Sequence, residues 1–429
     1  AVVDVLLNSW DDWKRAVPWL DMFPDLTKNK RIFPESEIDG QLFVTMLIGL
    51  CWVRPDNPNM SLWLEQAEVF LQKNIELLAQ SPLKHMFMSL FLCLGEIDRA
   101  AEALQKIRNS SRSATVNPVA KLMALFAEAH FAWFVGDRAL CDRIVSEAVA
   151  FENQSGCFVT HFHLRAQQVY AALLDYDVLT AEQILDEFRL KVRAMPRLVA
   201  VHFDWLLGWA TLLKGDIDHA LPLLRQAFNK SINSGAPFVT AIMGGILAQA
   251  YHARGRVTET QVCLTQVEII GRGMKSALIE SIANLTKAKI ALDGENHEEA
   301  HGLLEAGFRV ARIKGFRYFS WWPKPVLLQL CTIALEWDIE AAYVQKIIRQ
   351  YRLVPKGSTT TIPNWPWAMK VTMLGAFTLE SNGESVGFGR KVPRRVLALL
   401  QALIAFGGQN VREDKLRDAL WPEADGDRA

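Results

Sequence analysis

The chain lacks long apolar runs. Nothing approaches the ~18 consecutive apolar residues of a membrane helix, and no leader peptide is expected from the residues that open the chain. It lacks a surplus of either charge: 47 Lys and Arg face 47 Asp and Glu, so any basic footprint must be local. The phosphate-binding pattern GxxxxGK[ST] is absent, which excludes that route to nucleotide binding within this chain. The cysteines Cys51, Cys93, Cys141, Cys157, Cys263 and Cys331 form no CxxC pair. They read as small apolar packing residues in a reducing, cytoplasmic compartment rather than as a disulfide frame or metal site. At 429 residues the chain is too long for one compact core, so a repeat array or several domains is expected.

What is there is a period. LLKGDIDHALPLL at Leu212–Leu224 reads as a helix end, a tight turn at Gly215-Asp216 and a helix start. Equivalent stretches place a small residue at Ala100, Cys141, Ala181, Ala220, Thr260 and Ala300, in steps of 41, 40, 39, 40 and 40. Four residues later comes an apolar residue: Leu104, Val145, Leu185, Leu224, Leu264, Leu304. Twelve before lie Met88, Ala129, Val169, Gly208, Ala248 and Ala288. This spacing predicts paired helices that approach closely and bury one face only by stacking on neighbours. Ala220 and Gly208 are therefore expected to be fully buried.

These residues resemble the tetratricopeptide repeat, whose small and apolar positions match Gly208, Ala220 and Leu224. The period near 40 departs from its usual length of about 34. The longer period resembles the superhelical sensor domain of MalT-like bacterial transcription regulators. The resemblance implies a mainly α, right-handed superhelix of helix pairs over residues 40–352. It also implies a nucleotide-binding domain upstream of Ala1. Residues 1–39, with Trp10 and Trp13 three apart on one face, read as short helices that cap the superhelix or finish a repeat begun upstream. The chain itself is expected to carry no cofactor and no catalytic site, and to be a fragment.

Residues 353–368 read as a linker, and an α+β module follows over 369–429. Lys370–Leu374 and Phe377–Glu380 alternate like strands, and helices are predicted at Arg394–Phe406 and Arg412–Leu420. Leu374-Gly375, Arg394-Arg395 and Asp418-Ala-Leu-Trp421 resemble the OmpR-like winged helix of AfsR/DnrI/RedD-class activators. That resemblance implies DNA as a partner once the base-reading helix, which would follow Trp421-Pro422, is supplied; in this chain the module is truncated. Arg390 and Lys391 join Arg394 and Arg395 in a basic cluster. Arg394, Arg395, Arg412 and Lys415 are the phosphate candidates.

His297-Glu-Glu-Ala-His301 matches the zincin pattern HExxH. Ala300 within it is the small packing residue of its repeat, so the packing reading prevails and no metal is expected. By the same resemblance, the first helix of each pair lines a concave groove. That face carries His130, Trp133, His163, Tyr170, His202, Trp205, Trp209, Gln249, His252 and Lys289. Aromatic rings with polar handles suit a small-molecule inducer, a protein or a peptide. The same rings also suit inter-repeat core. The two readings separate at Trp205 and Trp209: a ligand groove requires at least one indole to face it. Self-association is a further expectation. The rival function is a tetratricopeptide-type interaction scaffold with no DNA role.

Overall fold

The computed structural model describes residues 2–22, 37–55, 57, 59, 62, 65, 84–110, 117–317, 319, 321–355, 362, 364–381, 383–387, 394–408 and 410–422. The chain divides into two units, Ala1–Pro363 and Asn364–Ala429.

The first unit is helical. It opens with α1 (Val2–Asn8), a 3-10 turn (Trp13–Ala16), α2 (Val17–Leu20) and α3 (Glu37–Val53). Six regular helix pairs follow. They are α4 (Lys84–Leu94) with α5 (Ile97–Ser110), α6 (Pro118–Phe134) with α7 (Arg138–Ser155), and α8 (His161–Leu174) with α9 (Val178–Asp186). Then come α10 (Arg197–Leu213) with α11 (Ile217–Asn233), α12 (Pro237–Ala253) with α13 (Val257–Met274), and α14 (Ala277–Asp293) with α15 (His297–Ile313). A seventh pair is α16 (Lys324–Glu336) with α17 (Ala341–Tyr351).

One turn design recurs in all six regular pairs. The residue before the second helix's cap has positive φ: Gly95, Gly136, Tyr176, Gly215, Gly255 and Glu295. The next residue donates its N–H to the carbonyl five residues back, as in Asp137 to Ala132 at 2.8 Å and Asn296 to Ala291 at 2.9 Å. In four copies that residue also caps the second helix: Asp137, Asp177, Asp216 and Asn296 accept from the N–H three residues on. Two pairs are stapled at these turns by Arg138, which reaches Asp175 and Asp177 at 3.0 and 2.7 Å.

All eighteen residues at the three packing positions are buried. A Cβ on Gly208 would sit 3.0 Å from two carbons of Leu224. The helices of that pair therefore touch through the missing side chain. Ala220, at 0 % exposure, has no room to grow. Ala220→Leu is expected to lower stability by about 1–3 kcal/mol through overpacking. An unchanged denaturation midpoint would mean that the pairing register is different. In the seventh pair Ala341 is only half-buried and Val344 carries the burial, so the period fades there.

The stack curls until its ends meet. Helix α4 packs against α14, the Ser276 hydroxyl donates to the Cys93 carbonyl at 2.5 Å, and Lys314 pairs with Glu96 at 2.8 Å. The N-terminal segment does not stop at a terminal cap. Trp10 leaves the helix with φ +50, so it and Trp13 do not share a helical face. Leu198 N–H donates to the Trp10 carbonyl at 2.8 Å, and Trp13 N–H donates to Ser234 at 2.9 Å. The segment thus crosses to α10 and the end of α11, in the middle of the array. Five of the six cysteines are buried, and burial pushes the Cys263 thiol up to about 11.

The second unit is an antiparallel sheet of order β1-β2-β3, with β1 Met369–Thr372, β2 Thr378–Ser381 and β3 Glu384–Ser385. Val371 pairs with Leu379 across the first ladder. Helices α18 (Arg394–Ala405) and α19 (Glu413–Leu420) pack on each other. Ala67, which the sequence places in an early, shorter repeat, residues 356–361 and 363 of the linker, and Arg390 and Lys391 of the basic cluster lie outside the described residues.

Candidate functional site

The first helices of successive pairs place their inward rings in a continuous wall. His130 and Trp133 on α6 stack at 5.3 Å and 9°, and Trp133 stacks on Tyr170 of α8 at 4.6 Å and 10°. Tyr170 meets Trp205 of α10 at 5.7 Å, and Trp205 stacks on Trp209 at 5.3 Å. Trp209 stacks on Trp321, from the segment before α16, at 5.1 Å and 8°. These offset ring pairs add to the apolar area they bury.

Three hydrogen bonds lock the wall. Trp133 Nε1 donates to Gln167 at 2.7 Å, Ser89 Oγ bonds His130 Nδ1 at 2.9 Å, and the Tyr170 hydroxyl bonds His202 Nε2 at 2.8 Å. Trp10, Trp13, Trp52 and Phe238 line the same space, and Trp10 lies 4.4 Å from the His163 ring. Together these rings line a cavity of about 150 Å³.

The expectation of an open groove at α10 is overturned. Trp205 is 3 % exposed and Trp209 0 %, because the curled stack, the N-terminal segment and Trp321 close over them. His130, Trp133, Tyr170, His202 and Trp205 instead come together on the interior cavity. Trp209 is core, and His163 is buried against Trp10 and Phe126. Gln249, His252 and Lys289 are not on the cavity. Gln249 Nε2 donates to the Trp321 carbonyl at 3.0 Å, while His252 and Lys289 both pair with Asp293. Trp10, Trp13, Trp52, Gln167 and Trp321 were not singled out for this site by sequence. Only Gln167 carried a local signal, four residues after His163 on the same helix face.

Burial sets the charge of the lining. Desolvation lowers His130 and His163 to about 4, and lowers His202 to about 3 with help from the other two imidazoles. It holds the Tyr170 phenol well above its ordinary value. At neutral pH these groups are uncharged, so the cavity suits uncharged guests.

His297 and His301 sit at the exposed start of α15, with their rings 6.1 and 5.5 Å from Trp337. Ala300 between them is buried in its pair. Among the described residues no group of three or more His, Cys, Asp or Glu is placed to hold a metal ion, and no helix is long and apolar enough to cross a membrane. In the second unit Arg394, Arg395, Arg412 and Lys415 are all exposed, and Arg412 pairs with Asp414 at 2.7 Å.

No family model and no curated protein matches the chain. Among solved structures it is similar to a Rap protein complexed with competence and sporulation factor. The TM-score is 0.47 at 11 % identity, covering 74 % of this chain and 88 % of that one. It is also similar to NprR in complex with its cognate peptide NprX. There the TM-score is 0.44 at 14 % identity, covering 73 % of this chain and 89 % of that one.

Proposed function

We propose that Ala1–Pro363 is the effector-sensing part of a cytoplasmic bacterial transcription regulator, a right-handed superhelix of MalT-like type. The unit Asn364–Ala429 is then the start of an OmpR-like winged helix that binds DNA when completed. The observation that carries this reading is the interior cavity. Helices from separate pairs and the N-terminal segment contribute rings to it, so one guest touches elements far apart in sequence and biases how they pack. No catalytic step and no cofactor is assigned to this chain. The strand order, the paired helices and the exposed Arg394 and Arg395 support the DNA arm.

The test presents a panel of small molecules and peptides to this chain, read as a shift in melting temperature. Val239 lines the cavity and is half-buried, so Val239→Trp fills the space from its edge. A small molecule is expected to raise the melting temperature of the parent and leave Val239→Trp unmoved. A guest that stabilises both equally sits elsewhere, and a response to peptides alone would favour the interaction scaffold. For the second unit, the double variant Arg394→Ala/Arg395→Ala is expected to bind a random duplex more weakly at low salt. Its salt slope should be reduced by about two phosphate contacts. Unchanged binding would remove these residues from the interface.

A further inference from the structure

We infer that the cavity takes a single-ring, uncharged aromatic molecule carrying one hydrogen-bond acceptor, which the indole N–H of Trp205 engages. This rests on the reading of the cavity as the effector site and narrows it to a chemical class.

Size comes first. A volume of about 150 Å³ matches apolar protein cavities that hold a benzene ring. It does not admit an oligosaccharide or a folded peptide segment. Shape agrees: the stacked rings of Trp133 and Tyr170 give the cavity one flat wall, and Trp10 and Trp13, tilted at 52° to each other, also line it. Planar rings satisfy such walls by offset or edge contacts.

Polarity narrows the class further. Several polar groups on the wall are already joined to one another, Ser89 to His130, Gln167 to Trp133 and Tyr170 to His202. A guest bearing many hydroxyls would have to compete with these bonds. Trp205 is different. Its ring lines the cavity, it is 3 % exposed, and its buried Nε1 has no hydrogen-bond partner among the described residues. An indole nitrogen only donates, so its partner must be an acceptor such as a carbonyl or ether oxygen. Charge is the last filter. Desolvation keeps the imidazoles of His130 and His202 neutral, and a carboxylate or ammonium on the guest would enter without a counter-charge.

Acetophenone and ethylbenzene share a ring and a two-carbon side chain and differ by a carbonyl in place of a methylene. Titration calorimetry on this chain is expected to show acetophenone binding at least tenfold more tightly than ethylbenzene, with benzoate and benzylamine not binding. In Trp205→Phe the ring remains and the donor is gone, so the preference is expected to vanish while ethylbenzene binding persists. A second measurement does not depend on that variant folding. With ¹⁵N-labelled tryptophan, the Trp205 indole N–H resonance is expected to move downfield with acetophenone and not with ethylbenzene. Equal affinity for the two ligands, a preference that survives in Trp205→Phe, or no binding by either would overturn the inference. If neither binds but another molecule stabilises the parent and not Val239→Trp, the effector reading survives and only the ligand class fails. If acetophenone binds as expected but also binds Val239→Trp, the class stands and the placement of the effector fails.

Discussion

Lowering the pH from 7 to 5 is expected to cost the helical unit about 4 kcal/mol of stability, through His130, His163 and His202. Burial depresses all three folded values, to about 4, 4 and 3. An unfolded histidine titrates near 6.5, so between the two values the unfolded chain binds the extra protons. Stability from these groups is therefore fully present above about pH 6.5 and is lost as the pH falls toward the folded values. A fully shielded imidazole with this depression loses about 2 kcal/mol over the window. His130 and His202 keep some accessible surface, which brings the sum of three below about 6. Ion pairing outweighs desolvation at Asp177 and Asp293 and holds them below their ordinary values, so these two protonate at lower pH still. Denaturant midpoints at pH 7, 6 and 5 measure the effect. His163→Phe keeps a ring against Trp10 and removes one proton site, and is expected to flatten the drop by about a third. A flat profile in the parent between pH 7 and 5 would mean that these imidazoles are solvated.

The repeat was legible because close helix packing leaves a residue-by-residue trace. A pair that touches at Gly208 and Ala220 needs small residues there and an apolar one at Leu224, and the chain repeats that demand every ~40 residues. The first two strands and both helices of the second unit were legible for the same local reason, to within a residue or two at their ends, while the two-residue β3 was not. What the sequence could not show is whether the aromatic face was open. Spacing at i, i+3 and i+7 puts His202, Trp205 and Trp209 on one side of α10, and it is silent about what lies opposite. That depends on curvature summed over six pairs, which brings α4 to α14, and on contacts between residues far apart in sequence. The bond from Arg197 N–H to Asp11 joins positions nearly two hundred residues apart. Trp10 looked helical by its spacing with Trp13, and its left-handed backbone is imposed by the crossing to α10 rather than by local preference. Trp321 fell in a segment with no period at all, so nothing local marked it as the ring that covers Trp209.

Trp13→Ala is expected to destabilise the protein by about 3–5 kcal/mol, the cost of truncating a fully buried tryptophan. The side chain is 1 % exposed, and its ring lies 5.5 Å from Trp10 and 6.4 Å from Trp52. Its indole N–H donates to the Leu7 carbonyl at 3.1 Å, and its backbone N–H donates to Ser234 at 2.9 Å. Truncation removes the ring contacts, leaves the Leu7 carbonyl without that donor, and enlarges a cavity that the remaining rings are too rigid to refill. Trp19→Ala is the control: six residues on and 46 % exposed, it should change stability by no more than about 0.5 kcal/mol. Chemical denaturation followed by circular dichroism at 222 nm compares the two without relying on tryptophan fluorescence, which both variants alter. The contrast also weighs two structural roles for the first twenty residues. If they only cap α3, Trp13 is a local packing residue, and its loss should speed hydrogen exchange in α1 and α3 alone. If they bridge the array, as the bonds to Leu198 and Ser234 indicate, the loss should also speed exchange at the start of α10 and the end of α11. A Trp13→Ala protein as stable as Trp19→Ala, with unchanged exchange at Leu198, would show that the segment is not needed to hold the closed array together.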